Sequence, residues 1–423
     1  MTTTSLWLLC SVIQFPLAQG GASGSGLIDE GQLHQAGLVK FWEAKLPLAP
    51  GDTVDAGYLV DEALYVTSDF GKIFALKADV GLLRWGVELT APDFRILPPT
   101  HVLTADGAGP VVIPTTTGTF VLDRFTGEQL QRFSPEFAVS SPAVAFDRHL
   151  LMGGADSRFY SLVFNDPRMD RPIKRWDVLV KGPVTASPVL FDDGSLLLAS
   201  TAGVVIACGA RDKAFLWSYE TGGPLLADPA VDATGAYVAG MDRSLYKLDK
   251  ASGNVLWRVR FPRSLDVGPV VLDDTVFQYC SGHGLTALAV DNGTERWRNP
   301  SAVALAGHSE AGDVLLRDDH RIETVEHATG KSRGIADSHG VLKAVVNTID
   351  DSAYFLGDGG RVICLRLDRV PYLRRQQITA ARQQLNASPV DASTTTKIEK
   401  PLKPVLDEER DPLRSPSDTK PQR

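Results

Sequence analysis

The stretch Asp69-Phe70-Gly71-Lys72-Ile73-Phe74-Ala75-Leu76, followed through Gly81 by Trp85, decides the fold. A turn at Gly71 precedes an apolar strand, and a second turn, at Gly81, leads into a strand that carries Trp85. The same unit recurs further along the chain with its own glycine and tryptophan: Gly253 with Trp257, and Gly293 with Trp297. Repeats with a period of about 20–50 residues indicate solenoids, propellers or arrays of small units.

Tryptophan marks the period of this repeat. Trp7 apart, the chain has six tryptophans: Trp42, Trp85, Trp176, Trp217, Trp257 and Trp297. Four of their five intervals measure 40 to 43 residues, and the fifth, 91 residues, is about two periods. The missing member falls between Leu130 and Phe133, where an aromatic residue substitutes. We interpret the six tryptophans as structural residues that pack between neighbouring repeats, because each buries on the order of 200 Å².

Each repeat has the pattern of four short strands. Val189-Leu190-Phe191 and Leu196-Leu197-Leu198-Ala199 flank the turn Asp192-Asp193-Gly194, and Asp-Gly between apolar runs is a strong hairpin signal. Four antiparallel strands in about 40 residues form one propeller blade. A single sheet cannot bury both of its faces, whereas stacked blades in a closed ring can. The sequence therefore predicts an all-β fold, a β-propeller of four-stranded blades.

The number of blades depends on the two ends of the repeat region, residues 38–368. Seven repeats end near residues 85, 131, 176, 217, 257, 297 and 334, and the seventh lacks tryptophan. Residues 342–367 supply three more strands but no fourth. Ahead of the first complete blade, residues 38–44 resemble a fourth strand without its first three. We predict eight blades, with this N-terminal strand joining the last blade; seven blades are the alternative if residues 300–340 do not form a full blade.

The segments outside the propeller differ in composition. Residues 1–20 carry a short apolar run followed by small residues, which predicts a signal peptide, and residues 21–36 are expected to be a linker. Cys10 is a candidate for lipid attachment, which the bulky preceding Leu9 disfavours. No apolar run reaches the about 20 residues of a transmembrane helix. Residues 372–385 have a weak helical pattern. Residues 386–423 hold no aromatic residue and predict a disordered tail.

The repeat resembles the PQQ-like, or quinoprotein dehydrogenase-like, β-propeller family. The resemblance rests on the quoted copies, in which Ala75-Leu76, Gly81 and Trp85 form the nearest match, and it spans residues 38–368. Within that family the chain is most similar to the eight-bladed scaffold typified by BamB. The resemblance implies an exported, non-catalytic scaffold for protein–protein interaction, located in the periplasm or cell envelope and acting in envelope or outer-membrane assembly.

The alternative implied by the family is a quinoprotein-type oxidoreductase with pyrroloquinoline quinone (PQQ) and calcium, or another propeller that binds a small ligand. The family's enzymes need a carboxylate base, a calcium site and often a pair of adjacent cysteines, and no Cys-Cys pair exists in this chain. We therefore expect no PQQ, favour a protein that is not an enzyme, and assign no catalytic or cofactor-binding residue.

Other polar patterns do not predict a reactive site. Asp192-Asp193 and Asp273-Asp274 lie two repeats apart and are interpreted as turn residues. The histidines His283, His308, His320 and His327 lack the spacing of metal ligands, so no metal site is predicted. The net charge of −8 argues against a nucleic-acid surface, which requires basic patches.

Two irregular segments are the candidate partner loops. The polar, proline-bounded insertion at residues 164–172 includes Arg168, Met169 and Arg171, and such insertions form protruding loops. The link at residues 91–99 includes Phe94 and Arg95, which belong to residue types favoured at interfaces. We predict that a monomeric chain contacts a protein partner through these loops.

Overall fold

The computed structural model describes residues 27–92, 94–102, 109–163 and 172–368. Within these ranges, 32 strands form eight four-stranded antiparallel sheets. The fold is an eight-bladed β-propeller, which confirms the predicted fold class and blade number. The predicted signal peptide, Cys10, the weak helical pattern at residues 372–385 and the predicted tail at residues 386–423 all lie outside the described residues.

Each blade has its strands in sheet order, and seven blades are continuous in sequence. A short helix α1 (Glu30–Gln35) and strand β1 (Leu38–Lys45) come first. Blade 1 contains β2 (Val54–Val60), β3 (Ala63–Ser68), β4 (Lys72–Lys77) and β5 (Leu82–Glu88). Blade 2 contains β6 (Thr100–His101), β7 (Val111–Thr115), β8 (Gly118–Leu122) and β9 (Gln129–Phe133). Blade 3 contains β10 (Val139–Phe146), β11 (His149–Gly154), β12 (Arg158–Val163) and β13 (Ile173–Leu179).

The next four blades repeat this order. Blade 4 contains β14 (Val189–Leu190), β15 (Ser195–Ala199), β16 (Val204–Gly209) and β17 (Phe215–Glu220). Blade 5 contains β18 (Ala230–Val231), β19 (Gly235–Ala239), β20 (Ser244–Asp249) and β21 (Val255–Arg260). Blade 6 contains β22 (Val270–Leu272), β23 (Thr275–Cys280), β24 (Gly284–Ala289) and β25 (Glu295–Asn299). Blade 7 contains β26 (Ala302–Ser309), β27 (Gly312–Arg317), β28 (Ile322–Val325) and β29 (Ser332–Ala336).

Blade 8 joins the two ends of the repeat region. It contains β30 (Val341–Val345), β31 (Ser352–Gly357), a 3-10 turn (Asp358–Gly360), β32 (Arg361–Leu367) and, as its fourth strand, β1. Strand β1 pairs antiparallel with β32, with Leu38 opposite Leu367 and Lys45 opposite Arg361. This pairing confirms the predicted closure, which ties the ring non-locally.

The two ends of the ring differ in what they carry. First strands of neighbouring blades contact one another, as in β14 with β18 and β18 with β22, so the first strands lie on the channel side. Because the strands alternate in direction, the links between blades and the turns between second and third strands share one end, here called the linker end. The turns between first and second strands, and between third and fourth strands, lie at the opposite turn end.

Hydrophobic burial occurs between blades. Eight clusters of buried side chains are found among the described residues, one at each interface between neighbouring blades. The middle strands are almost fully buried, as in β7 and β15, because both faces of each sheet are covered. This explains why they have continuous apolar runs instead of alternation.

Tryptophan joins six of these eight interfaces in the same way. Each indole Nε1 donates a hydrogen bond of 2.7–3.0 Å to a backbone carbonyl in the third-to-fourth-strand turn of the next blade. The six pairs are Trp42 with Ala78, Trp85 with Arg124, Trp176 with Arg211, Trp217 with Lys250, Trp257 with Val290, and Trp297 with His327. All six tryptophans are buried.

At four of these six interfaces, the residue whose carbonyl accepts the indole hydrogen bond also pairs through its side chain with the preceding blade. Four carboxylates in first-to-second-strand turns take part: Glu62 with Arg124 (3.7 Å), Asp147 with Arg211 (2.7 Å), Asp193 with Lys250 (3.0 Å) and Asp274 with His327 (3.8 Å). Asp193 and Asp274 thus lie in turns, as interpreted from the sequence, and in addition connect blades.

Two blades lack tryptophan at the equivalent position of the sheet register. In blade 2 the position is taken by Gln131, opposite Val121, and the aromatic residue expected nearby, Phe133, is buried two residues later. In blade 7 it is taken by Gly334, opposite Thr324.

Helix α1 occupies the space beside Gly334. A Cβ at Gly334 would lie 2.6 Å from the carbonyl oxygen of Gln35, and Thr324 Oγ1 donates a 2.7 Å hydrogen bond to the carbonyl of Ala36. Leu33 of the helix is buried in the cluster between blades 7 and 8. The sequence led us to expect a linker at residues 21–36, and the helix lies within this range. Asp29 caps the N-terminus of the helix, and the buried Leu33 holds the helix on the ring.

Within the described ranges, none of the helices has the length and apolarity that crossing a bilayer requires.

Candidate interaction face

The links between blades form much of the linker end, and three consecutive links follow one pattern. Residues 180–188, 221–229 and 261–269 each join the fourth strand of one blade to the first strand of the next. The Ser187 amide donates a 2.6 Å hydrogen bond to Asp228 Oδ1, and a Cβ at Gly268 would lie 2.3 Å from the Asp228 carbonyl oxygen. Three successive links therefore contact one another around Asp228.

Apolar side chains are exposed on two of these contacting links, residues 221–229 and 261–269. Leu226 is 45% exposed and Val267 is 44% exposed, although Leu225 and Leu265 in the same links are buried. The links thus have one anchoring side chain and one side chain directed to solvent. Because the exposed Asp228 and Asp266 flank them, the patch combines apolar centres with carboxylates.

Charged residues from different blades surround Tyr58 of β2. The pKa of the Tyr58 hydroxyl is raised to about 12, mainly by burial and then by the carboxylate of Asp55; the Arg95 guanidinium opposes this shift, and Asp228 adds to it. Lys343 of β30 lies 3.7 Å from Asp55. Since Tyr58 and Lys343 belong to first strands, these charges lie at the channel side of the ring.

The two loops that the sequence singled out have different positions. Phe94, 45% exposed, and Arg95, also exposed, belong to the link between blades 1 and 2 and lie at the linker end. Arg168, Met169 and Arg171 lie outside the described residues. The strand ends that flank them, Val163 and Ile173, are at the turn end, because they join third and fourth strands.

Sequence reasoning singled out Phe94 and Arg95 but missed Leu226, Asp228 and Val267. The signal that points to them is the repeated proline that ends each link, at Pro188, Pro229 and Pro269. It marks equivalent links in successive blades.

Two groups of side chains among the described residues could hold a metal ion. They are Asp61 with Glu62 and His101, and His308 with Asp313 and His327. Both lie at the turn end, away from the patch around Leu226. The spacing of histidines in the sequence did not reveal the second group, which the sheet register brings together.

Comparison with known proteins points to one family. The family model described as outer membrane protein assembly factor BamB matches residues 170–318. The outer membrane protein assembly factor BamB of Yersinia pestis is 24% identical over an alignment of 240 residues, and the match covers 52% of this chain and 60% of that protein. The match therefore spans less than two thirds of the relative's length.

Solved structures share the fold. The crystal structure of BamB from Moraxella catarrhalis superposes with a TM-score of 0.62 at 16% identity, covering 79% of this chain and 99% of that one. Saccharomyces cerevisiae Sqt1 gives a TM-score of 0.60 at 10% identity, with 75% and 96% covered. The computationally designed Ika8 protein gives 0.57 at 16% identity, with 76% and 98% covered. The repeat, the family match and the shared fold together support a PQQ-like β-propeller of the BamB type.

Proposed function

We propose that this chain is an exported, non-catalytic scaffold that binds a protein partner through its linker end and acts in assembly of the bacterial outer membrane. The observation that carries the proposal is the set of contacting links that expose Leu226 and Val267 beside Asp228. The resemblance to outer membrane protein assembly factors supplies the biological setting.

The composition of the patch suits a protein interface. Interface centres are apolar with a polar rim, and a few anchoring side chains dominate the binding energy. Leu226 and Val267 are large enough to act as anchors, and the exposed Asp228 and Asp266 supply carboxylates at the rim. Phe94 and Arg95 add an apolar side chain and a cation at the same end of the ring. Contact between consecutive links gives the patch a fixed shape, which lowers the entropy that binding would otherwise cost.

The same proposal includes the cell compartment and the oligomeric state. We infer that the protein is periplasmic and attached to the cell envelope through its partner, and that it is a monomer when purified. Cell fractionation and light scattering measure these two properties. After incubation with PQQ and Ca²⁺ and removal of the unbound PQQ, we expect the protein to show no quinone absorbance. A quinone spectrum stoichiometric with the protein would contradict the non-catalytic assignment.

Site-specific photo-crosslinking in living cells tests the interaction face. A photoreactive phenylalanine analogue at Leu226 or at Val267 should give a crosslink to a defined envelope protein. The matched control is Leu216, which is 50% exposed on the fourth strand of blade 4 and should give none. Equal crosslinking at all three positions, or none at the two linker-end positions, would overturn the proposed face.

Complementation tests the biological setting separately. In cells that lack the chromosomal gene, we expect reduced levels of outer-membrane β-barrel proteins. Wild type and Leu216→Asp should restore those levels, whereas Leu226→Asp combined with Val267→Asp should not. If the double variant complements fully, the patch has no role in assembly.

A further inference from the structure

Three side chains of blade 7 converge at the turn end of the ring. His308 Nδ1 lies 2.6 Å from Asp313 Oδ1, and His327 Nδ1 lies 3.0 Å from Asp313 Oδ2. The ligand atoms of all three residues are within 4.8 Å of one another. The Asp313 side chain is 0% exposed, and the imidazoles of His308 and His327 are 12% and 21% exposed. The group is therefore buried on one side and open to solvent on the other.

The sheet register fixes these positions. His308 of β26 lies opposite Asp313 of β27, and Asp313 lies opposite Val325 of β28, two residues before His327. Opposite residues, and residues two apart, share a face of a sheet. His308 and Asp313 thus project to one face from neighbouring strands, which hold them rigidly, and His327 joins them from the turn that follows β28.

Blade 6 holds the outer nitrogens of both imidazoles. His308 Nε2 is 3.1 Å from Asp273 Oδ2, and His327 Nε2 is 3.1 Å from Thr275 Oγ1. Both rings therefore direct Nδ1 towards Asp313 and present Nε2 to an oxygen of the neighbouring blade. A histidine that binds a metal through one nitrogen commonly has its other nitrogen hydrogen-bonded in this way, which sets the ring orientation and the tautomer.

The charges around the group suit a dication. A histidine must be neutral to bind a metal. With both imidazoles neutral, the carboxylates of Asp313 and Asp273 give the group an excess of negative charge. The nearby guanidinium of Arg296 is bound by both oxygens of Asp274 at 2.7 Å, so its charge is matched by that carboxylate and does not compensate Asp313.

The other candidate group has the opposite electrostatics. Arg124 NH1 lies 3.4 Å from His101 Nδ1, and the guanidiniums of Arg84 and Arg124 lie 3.5 and 3.7 Å from Glu62 Oε1. Two fixed cations thus already compensate the carboxylates of Asp61 and Glu62. A metal ion would be repelled there.

We propose that His308, Asp313 and His327 bind a divalent transition-metal ion, with Zn²⁺ as the best chemical match and a fourth position open to water. Two imidazole nitrogens and one carboxylate oxygen form a common zinc ligand set, whereas Ca²⁺ and Mg²⁺ prefer oxygen ligands throughout. Tetrahedral ligands about 2.0–2.2 Å from the ion lie roughly 3.4 Å apart, so small ring rotations suffice for binding. All three ligands belong to blade 7, and oxygens of Asp273 and Thr275 in blade 6 hold the two imidazoles in place.

Competition of the metal-free full-length protein with a chromophoric zinc chelator tests the site. We expect one Zn²⁺ per chain in the wild type, and affinity reduced by more than about 100-fold in His327→Gln and Asp313→Asn. The control His283→Gln alters a histidine at the linker end beside Arg298 and should bind as the wild type does. Wild-type binding no tighter than that of Asp313→Asn would overturn the proposal.

A second variant and a spectroscopic measurement cover the case in which loss of buried Asp313 unfolds the blade. Asp273 is 78% exposed, so Asp273→Asn should fold normally and bind Zn²⁺ about 10–100-fold more weakly. X-ray absorption of the wild-type zinc complex should show two imidazoles in the first shell. Unchanged affinity in Asp273→Asn, or a first shell without histidine, would also overturn the proposal.

Discussion

Gly253 lies flat against the indole of Trp217, the tryptophan of the preceding blade. A Cβ at Gly253 would be 2.5 Å from Trp217 Cε3 and 2.6 Å from Cδ2, and the glycine has a φ of +72°. The same relationship recurs at four further interfaces: Gly81 with Trp42, Gly127 with Trp85, Gly293 with Trp257, and Gly330 with Trp297. The glycine and the tryptophan of the repeat therefore form one contact between neighbouring blades.

Replacement of Gly253 by alanine should lower the free energy of unfolding by about 2–4 kcal/mol, because it combines overpacking against the indole with a left-handed backbone. Gly359→Ala is the matched control: Gly359 has a φ of +59°, and its Cβ would meet nothing within 4 Å, so a loss of about 1 kcal/mol is expected. Urea unfolding measures both. Equal losses in the two variants would show that the indole contact contributes nothing.

Lys213 occupies the turn position that glycine holds in the other contacts. It has a φ of +54°, and its amide donates the same four-residue hydrogen bond, to Gly209, that Gly253 donates to Asp249. Lys213→Gly should stabilise the protein by about 0.5–1 kcal/mol, since relief of the left-handed strain exceeds the added entropy of the unfolded chain. Lys213→Ala keeps the strain and should give no gain. A stabilisation in the alanine variant as large as that in the glycine variant would contradict this account.

The ring was predictable because packing between blades requires the same bulky side chain at the same register in each repeat. Trp42 alone ahead of the first blade was enough to predict the closing strand. The position of helix α1 was not predictable, because its contact is a glycine, Gly334, that carries no periodic signal. The helix precedes the first strand of the repeat region, whereas Gly334 lies in blade 7, near the end of that region.

The polar sites were hidden for a related reason. His308, Asp313 and His327 come together only through the cross-strand register of blade 7 and the turn that follows β28, and irregular spacing along the chain does not reveal that arrangement. The sequence singled out Arg95 as a residue type favoured at interfaces, whereas the joint action of Arg95 and Asp228 on the Tyr58 hydroxyl depends on ring closure. In the sequence, the links around Leu226 look like ordinary loops. Their contact with one another depends on the stacking of consecutive blades.

Asp193 should make stability depend on pH through Ser195. Hydrogen bonds from the Ser195 hydroxyl and amide, together with the Lys250 ammonium, lower the pKa of Asp193 to about 2. Because the folded pKa lies below the unfolded value, the stabilisation is complete above about pH 4 and is lost as the pH falls towards 2. Ser195→Ala should lower the free energy of unfolding by about 0.5–1 kcal/mol at pH 6, and by less at pH 2.5.

Unfolding titrations in urea at the two pH values measure this difference. In an Asp193→Asn background the Ser195→Ala cost should no longer depend on pH, because the titrating carboxylate is absent. A cost that stays the same from pH 6 to pH 2.5 in the wild-type background would show that Ser195 acts through packing alone.

Gly334→Ala should loosen helix α1 and leave the blades intact. The added Cβ would lie 2.6 Å from the Gln35 carbonyl oxygen and 2.7 Å from Ala36 Cα, so the helix must move and lose the hydrogen bond from Thr324. We expect the free energy of unfolding to fall by about 1–3 kcal/mol and amide hydrogen exchange to become faster only in residues 27–37. Gly222→Ala, at an exposed glycine whose Cβ would have the Asp242 side chain as its nearest contact, at 3.1 Å, should leave amide exchange of residues 27–37 unchanged. Faster exchange throughout blade 7 in Gly334→Ala would mean that the helix is integral to the blade and does not pack on it as a separate element.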